Sequence, residues 1–266
     1  LAGVRGQLAS LGPSHMPGTI FTRSGRIRAP YNPELEKFWF QRHALFSRYD
    51  DGVRLDAESW YSVTPELIAI HVALRLLRPP FCGVCVDAFC GVGGNAIQLA
   101  LSGARVLAID IDGEKVAMAR HNARVYGVAH LIEFVVGDFL ALAPRLRANA
   151  VFLSPPWGGV GYDAAARFDL ETMMEPCAGS SIFEAALAIS SRLCYYLPRR
   201  SCRRQIADLA ARHPSRRCEL ERAAIAQPPK KKRKRDDDER GVLLAFFFDA
   251  DSAAAPGVHE TSVEIT

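Results

Sequence analysis

Val86-Asp87-Ala88-Phe89-Cys90-Gly91-Val92-Gly93-Gly94-Asn95 is the stretch on which the fold turns. The run Val84–Ala88 reads as a buried strand, and it empties into a glycine-rich turn. Asn95–Leu101 then reads as a helix. Glycines let main chain approach a ligand closely, and the helix N-terminus behind them presents N–H groups with no intrahelical partner. Moving downstream, Val106–Ile109, Ile132–Val136 and Ala150–Leu153 read as strands, separated by helices over Glu114–Tyr126 and Phe139–Arg147. The alternation continues through a helix Ile182–Ser191, a strand Cys194–Leu197 and a helix Arg203–Arg212. This pattern predicts an α/β fold, a mainly parallel doubly wound sheet of the Rossmann-like kind. Two last strands, near Cys218–Ile225 and Val242–Phe248, have no helix between them and are expected to form an antiparallel hairpin.

Upstream, Asn32-Pro33 is an N-cap followed by proline at the first helical position. Leu35, Phe38, Trp39, Leu45, Phe46 and Tyr49 recur from there at roughly helical spacing, up to Asp50-Asp51-Gly52. A second helix is expected from Thr64-Pro65-Glu66 to Leu77, stopped by Pro79-Pro80. The expected organisation is a flexible segment 1–31, a helical extension 32–59, a core 60–250 with a basic and acidic loop at 228–240, and a tail 251–266. Because the chain opens on Leu1, it is expected to be part of a longer one.

With 266 residues and 49% hydrophobic content, the chain can bury one sizeable core. No apolar run approaches the roughly 20 residues that span a bilayer, so no membrane association is expected. Seven cysteines without framework spacing argue against a secreted disulfide scaffold. Cys82-x-x-Cys85 lacks a second such pair, so no metal site is expected. The net charge of +4 is concentrated in KKKRKRDDDER at 230–240, and the rest is almost neutral. Such a chain grips a few phosphates locally but does not coat a long duplex. Residues 1–33 carry Arg5, Arg23, Arg26 and Arg28 and no acid.

A glycine loop alone is compatible with a dinucleotide, S-adenosylmethionine or no ligand. Three acids narrow the choice. Asp87 ends the first strand, Asp110 ends the second, where a carboxylate can accept both ribose hydroxyls, and Asp138 follows the third, within reach of an adenine amino group. The Asp-x-Phe-x-Gly-x-Gly-Gly pattern with an acid closing the next strand resembles class I methyltransferases more than dehydrogenases. Ser154-Pro155-Pro156-Trp157 lies beyond the fourth strand, where open α/β sheets bind ligands. Two prolines hold that backbone extended, aiming the Ser154 hydroxyl and nearby carbonyls, and Trp157 adds a flat face. The run resembles the Asn/Asp-Pro-Pro-aromatic signature of enzymes that methylate exocyclic base amines, with serine in first place.

Over most of residues 34–250 the chain resembles the trimethylguanosine synthase family of cap-hypermethylating enzymes. The resemblance rests on Lys37, Phe38-Trp39, Leu45–Gly52, Ser62–Glu66, Val86–Asn95, Ile109–Asp112, Ser154–Gly159 and Leu197-Pro198-Arg199. Arg200 stands where the family pattern has asparagine, and 228–240 is extra length in the final hairpin. The resemblance implies S-adenosyl-L-methionine as cofactor, held by Thr64, Asp87, Asp110 and Asp138, with Phe89, Gly91, Gly93, Asn95 and Phe139 completing the set. It implies that Trp157 stacks on 7-methylguanine, that Ser154 and Pro155 lie at its N2 edge, that Phe46 walls the pocket, and that Lys37, Tyr162 and Arg199 hold the cap triphosphate. The N7-methylated ring is cationic, so an indole face favours it over guanine.

The activity implied is in-line methyl transfer to guanine N2, twice, giving the 2,2,7-trimethylguanosine cap of small nuclear and nucleolar-type RNAs. Ser154 and the Pro155 carbonyl would orient the amine, positioning would supply much of the acceleration, and no His or Glu is required as a strong base. Implied partners are 7-methylguanosine-capped RNA, small nuclear or nucleolar ribonucleoprotein proteins, and a nuclear import receptor reading Lys230–Arg235. The expected address is the nucleus, including nucleolus and nuclear bodies, with the cytoplasm as a second compartment. Alternative readings are a guanine-N2 or adenine-N6 methyltransferase on ribosomal RNA and a catalytically silent cap-binding scaffold.

Overall fold

In the computed structural model, the run Val84–Asp87 is strand β1, in the interior of an eight-stranded sheet. The structure describes residues 38–79, 81–158, 167–226, 241–248 and 255–266, and the backbone of a small antiparallel pair, Ile20–Phe21 with Ile27–Arg28. The expected helix start at Asn32-Pro33, Lys37, Tyr162 and the run Lys230–Arg235 lie outside the described residues.

The remaining strands are β2 (Arg105–Asp110), β3 (Ile132–Val136), β4 (Ala150–Leu153), β5 (Leu193–Leu197), β6 (Arg217–Ile225), β7 (Val242–Phe247) and β8 (Gly257–Ile265). Their order across the sheet is β8-β6-β7-β5-β4-β1-β2-β3. Strands β1 to β5 run parallel, and β7 lies antiparallel to both β5 and β6, as expected for the closing hairpin. Chain order moves outward from β1 to β3 and then restarts at β4 on the other side of β1. This reversal opens a crevice beyond the carboxyl ends of β1 and β4.

Eight described α-helices follow in chain order. They are α1 (Arg42–Leu45), α2 (Ser59–Ser62), α3 (Glu66–Leu76), α4 (Gly94–Leu101), α5 (Gly113–Val125), α6 (Phe139–Leu142), α7 (Gly179–Leu187) and α8 (Arg203–Arg212). Buried side chains of α3, α4 and α5 belong to one core layer and those of α6, α7 and α8 to the other. Successive strand residues alternate between them: Cys85 joins the first layer and Val86 the second. Near-continuous burial of β4 and β5 reflects coverage on both faces.

Several expectations are corrected. The aromatic extension is not one continuous helix over its described part, but the short α1 followed by a 3-10 turn, Tyr49–Asp51. The reason is tertiary: Trp39, Tyr49 and Trp60 gather with ring centroids 5.4–6.0 Å apart, and that packing outweighs helical spacing. These rings share the core layer of α3 and α4, and α2 runs across the expected boundary at 59/60. The helix expected to Arg147 gives way to a 3-10 turn at Ala143–Arg145, because Pro144 has no N–H to continue the α pattern. The expected tail contains β8, which adds in parallel to β6 over nine residue pairs. Its exposed His259, Glu260 and Glu264 discourage further pairing at this sheet edge.

Candidate functional site

The crevice is built by strand ends that cross-link one another. The Ala88 N–H donates to Phe152 O at 3.1 Å, holding the exit of β1 against β4. Cys90 N–H donates to Ile109 O at 2.8 Å, and Gly91 N–H donates to Asp110 Oδ2 at 2.7 Å, holding the glycine turn against β2. Gly93 has φ +92°, and a Cβ there would lie 3.1 Å from that of Ala119, so this bend requires glycine. At Gly91, φ +50°, an added Cβ would project into open space, which leaves the turn accessible on that side.

Asp87 ends β1 only 1% exposed, and neither carboxylate oxygen completes a hydrogen bond among the described residues. Burial, with the like charge of Asp110, pushes its pKa up to about 7, against the pull of the Phe89 and Ala96 N–H groups. Asp110 accepts from the Gly91 and Asp112 N–H groups, yet burial still raises its pKa. Two neighbouring acids, one of them with no completed hydrogen bond among the described residues, fit a cationic ligand. Asp138 is exposed and caps α6, accepting from Leu140 N–H at 2.9 Å. Phe139, which follows it, is buried and packs on half-buried Phe89 with centroids 5.6 Å apart.

Thr64 does not cap α3, whose N-cap position is Pro65. Its Oγ1 instead accepts from Asn95 Nδ2 at 2.8 Å, tying the approach to α3 to the first turn of α4. Asn95 Oδ1 is buried without a partner among the described residues. Phe46 is buried, its ring 6.2 Å from that of Tyr126, and a Cβ on Gly94 would come within 3.8 Å of its Cζ. Phe46 thus backs the glycine turn as core.

Across the crevice, Ser154 Oγ donates to Phe89 O at 3.4 Å, so the serine-proline run and the glycine turn meet directly. Pro155 is buried, and the Pro156 carbonyl accepts from Glu175 N–H at 3.1 Å. Half-buried Trp157 stacks on Tyr196 of β5, centroids 5.3 Å apart and planes 15° apart. Arg199 is half-buried in the turn after β5. Thr64, Asp87, Phe89, Gly91, Gly93, Asn95 and Asp110 therefore cluster around one turn that Ser154 touches, while Asp138 and Phe139 approach through Phe89.

Tyr196 behind Trp157 was not anticipated, although its place on a strand beside β4 was a usable signal. Glu66 was also missed. It accepts from the Ser47 N–H and hydroxyl, from Tyr126 Oη at 3.0 Å and from Gln98 Nε2 at 3.3 Å, fastening the aromatic extension beside Phe46. A single glutamate at a helix start carries no sequence mark of such a role.

Comparison with known proteins gives a family and a fold. The family profile described as RNA cap guanine-N2 methyltransferase matches residues 82–231. The chain is 37% identical to trimethylguanosine synthase of Schizosaccharomyces pombe over 193 residues, 70% of this chain and 80% of that one. It is 33% identical to trimethylguanosine synthase of Saccharomyces cerevisiae over 183 residues, 66% of this chain and 58% of that one. Among solved structures, a Porphyromonas gingivalis protein described as a methyltransferase superposes with a TM-score of 0.56 at 16% identity, covering 84% of this chain and 53% of that one, a likeness of fold.

Proposed function

The chain belongs to the RNA cap guanine-N2 methyltransferase family, and from that premise we propose that it converts the 7-methylguanosine cap of small nuclear and nucleolar-type RNAs to the 2,2,7-trimethylguanosine cap. The family uses S-adenosyl-L-methionine, which supplies an electrophilic methyl group carried on a sulfonium. The residues of the glycine turn suit it: Asp87 and Asp110 offer carboxylates to a cation and a ribose, Gly91 leaves open space, and Asn95 and Thr64 brace the turn from behind. Asp138, Phe89 and Phe139 complete the adenosine side in this reading.

On the acceptor side, Trp157 stacks on the cationic base, its plane held by Tyr196. The Ser154 hydroxyl and the Pro155 carbonyl take hydrogen bonds from the N2 amine. Its lone pair is then released from conjugation with the ring and presented to the electrophile, and positioning supplies most of the acceleration. The proton leaves to water after transfer. Phe46 closes the pocket, and Arg199 with Lys37 and Tyr162 holds the triphosphate.

The observation that chiefly supports this reading is the contact of Ser154 with Phe89, which joins the amine-directed run to the cofactor-directed turn. Small nuclear and nucleolar ribonucleoprotein proteins and an import receptor for Lys230–Arg235 are proposed partners. The nucleus is the proposed address, with cytoplasmic forms acting during RNA assembly. The test is incubation of capped and uncapped oligonucleotides with S-adenosyl-L-methionine, followed by mass analysis of the cap nucleotide. Two successive methyl additions on the cap guanosine are expected, dependent on the N7 methyl. Methylation of uncapped RNA would favour the ribosomal reading, and cofactor binding without turnover would favour a silent scaffold.

A further inference from the structure

A cavity of about 290 Å³, near the lower bound of roughly 300 Å³ for small-ligand sites, opens beside Arg199 and is lined by Arg167, Arg200, Ser201, Cys202, Arg203 and Arg204. Its two walls are stitched together: Phe168 N–H donates to Arg200 O and Cys202 N–H to Phe168 O, each at 2.9 Å. The four arginines have different duties. Arg203 is structural, donating to both Glu260 oxygens at 2.8 and 3.0 Å and to the Arg199 and Ser201 carbonyls. Exposed Arg167 and Arg204 form no ion pair among the described residues. Ser201 is 3% exposed, and its Oγ has no hydrogen-bond partner among the described residues. The cavity also faces the start of α8, where helix N–H groups favour an anion.

The guanidinium groups of Arg167 and Arg204, an orphaned hydroxyl and a helix start together describe a phosphate site. The cavity begins one residue beyond Arg199 and lies past the end of β5, at the same carboxyl end of the parallel strands as Ser154. We infer that this cleft binds the phosphodiester backbone of the first transcribed nucleotides of the capped RNA, extending the grip beyond the triphosphate. This rests on the cap-methyltransferase reading. Arg167 and Arg204 supply the charge, and Arg203, held by Glu260 of β8, lines the cleft beside them.

The test compares a 7-methylguanosine cap dinucleotide with a short capped oligonucleotide as substrates for the full chain. The variant Arg167→Ala/Arg204→Ala should raise the oligonucleotide KM about tenfold with kcat unchanged, and leave both constants for the dinucleotide unaltered. The log–log salt slope of oligonucleotide binding should fall by about 1.4, the share of two single-strand phosphate contacts. Arg167→Lys/Arg204→Lys should recover most of the affinity, since charge without the fork suffices for backbone contact. An unchanged oligonucleotide KM, or equal losses on both substrates, overturns the proposal. So does a variant that weakens only inhibition by inorganic phosphate, which would assign the cleft to a free anion. Wild-type failure to methylate the dinucleotide would instead refute the cap reading, and the cleft would then be judged by anisotropy with uncapped RNA, where undiminished binding by the alanine variant overturns it.

Discussion

On one flank of the switch point, β1, β2 and β3 each hand over to an aspartate: Asp87, Asp110 and Asp138. On the other, β4 leads into Ser154-Pro155-Pro156-Trp157 and β5 into Pro198-Arg199-Arg200, with Arg203 and Arg204 opening the next helix. The carboxyl ends of the parallel strands thus carry acid on one side and base on the other. The burial differs as well. Asp87 is enclosed and Asp110 largely so, and their charge is costly until a cation answers it. Arg167 and Arg204 are solvated and cost little to keep charged. An enclosed acidic pocket selects a small cationic ligand tightly. An open basic rim attracts a polyanion loosely and reversibly, in a salt-dependent manner. Net charge reports neither, because outside 230–240 the chain carries 26 bases against 25 acids, summed over the whole sequence.

The largest expected effect comes from removing the side chain between the flanks. Trp157→Ala should weaken binding of the 7-methylguanosine cap about a hundredfold, as stacking area and cation–π attraction both go. Trp157→Phe should cost less affinity but also erode discrimination against the unmethylated cap, worth roughly 0.5–2 kcal/mol. Affinities of both variants for the two cap analogues, at one pH and salt, decide this. Equal weakening of both analogues by Trp157→Phe would move discrimination elsewhere, to the pocket wall at Phe46.

A smaller effect is expected within the acidic flank, and it has a pH signature. Because the folded pKa of Asp87 is raised to about 7, the native state binds its proton more tightly than the unfolded chain. Its contribution to stability therefore falls as pH rises from about 4 to about 7 and stays low above that. Asp87→Asn should stabilise the protein at pH 8 by on the order of 1–3 kcal/mol, with little gain at pH 4. The same change should weaken S-adenosyl-L-methionine about tenfold, and wild-type affinity should improve between pH 6 and 8 as the carboxylate forms. Denaturant unfolding at both pH values and calorimetric titration provide the check. An Asn variant that is less stable at pH 8 would mean that the carboxylate is satisfied in the native state.

The smallest effect concerns the basic run Lys230–Arg235. Replacing Lys230–Arg235 with glycine and serine should leave turnover of a cap analogue within about twofold, because the run reads as a transport signal and not as part of the cap site. A fluorescent fusion of that variant should shift toward the cytoplasm. A large loss of turnover on a short cap analogue would show that the basic flank takes in this run.

Those contrasts bear on how much could be read in advance. Asp87, Asp110 and Ser154 were legible as site candidates because each ends or follows a strand, and the alternation of strand and helix is a local property of the chain. The glycine turn was legible because its backbone conformation needs glycine. The Arg167 wall of the basic cleft was not, since it reaches Arg200 through a bridge between segments more than thirty residues apart. Nor was β8 legible. Gly257–Ile265 alternates too weakly to mark a strand, and it becomes one by pairing with β6.

The amino-acid order alone determined the doubly wound class, the aspartates at the strand ends and the serine-proline-tryptophan run, because short-range periodicity and backbone chemistry are written residue by residue. Tertiary structure decided which groups would lose water and which would find partners. It left Asp87 buried with no completed hydrogen bond among the described residues, turned Thr64 from a cap into a brace for Asn95, set Tyr196 behind Trp157 and tied Arg203 to Glu260. Desolvation and side-chain pairing depend on neighbours distant in sequence, and those neighbours exist only once the sheet has assembled.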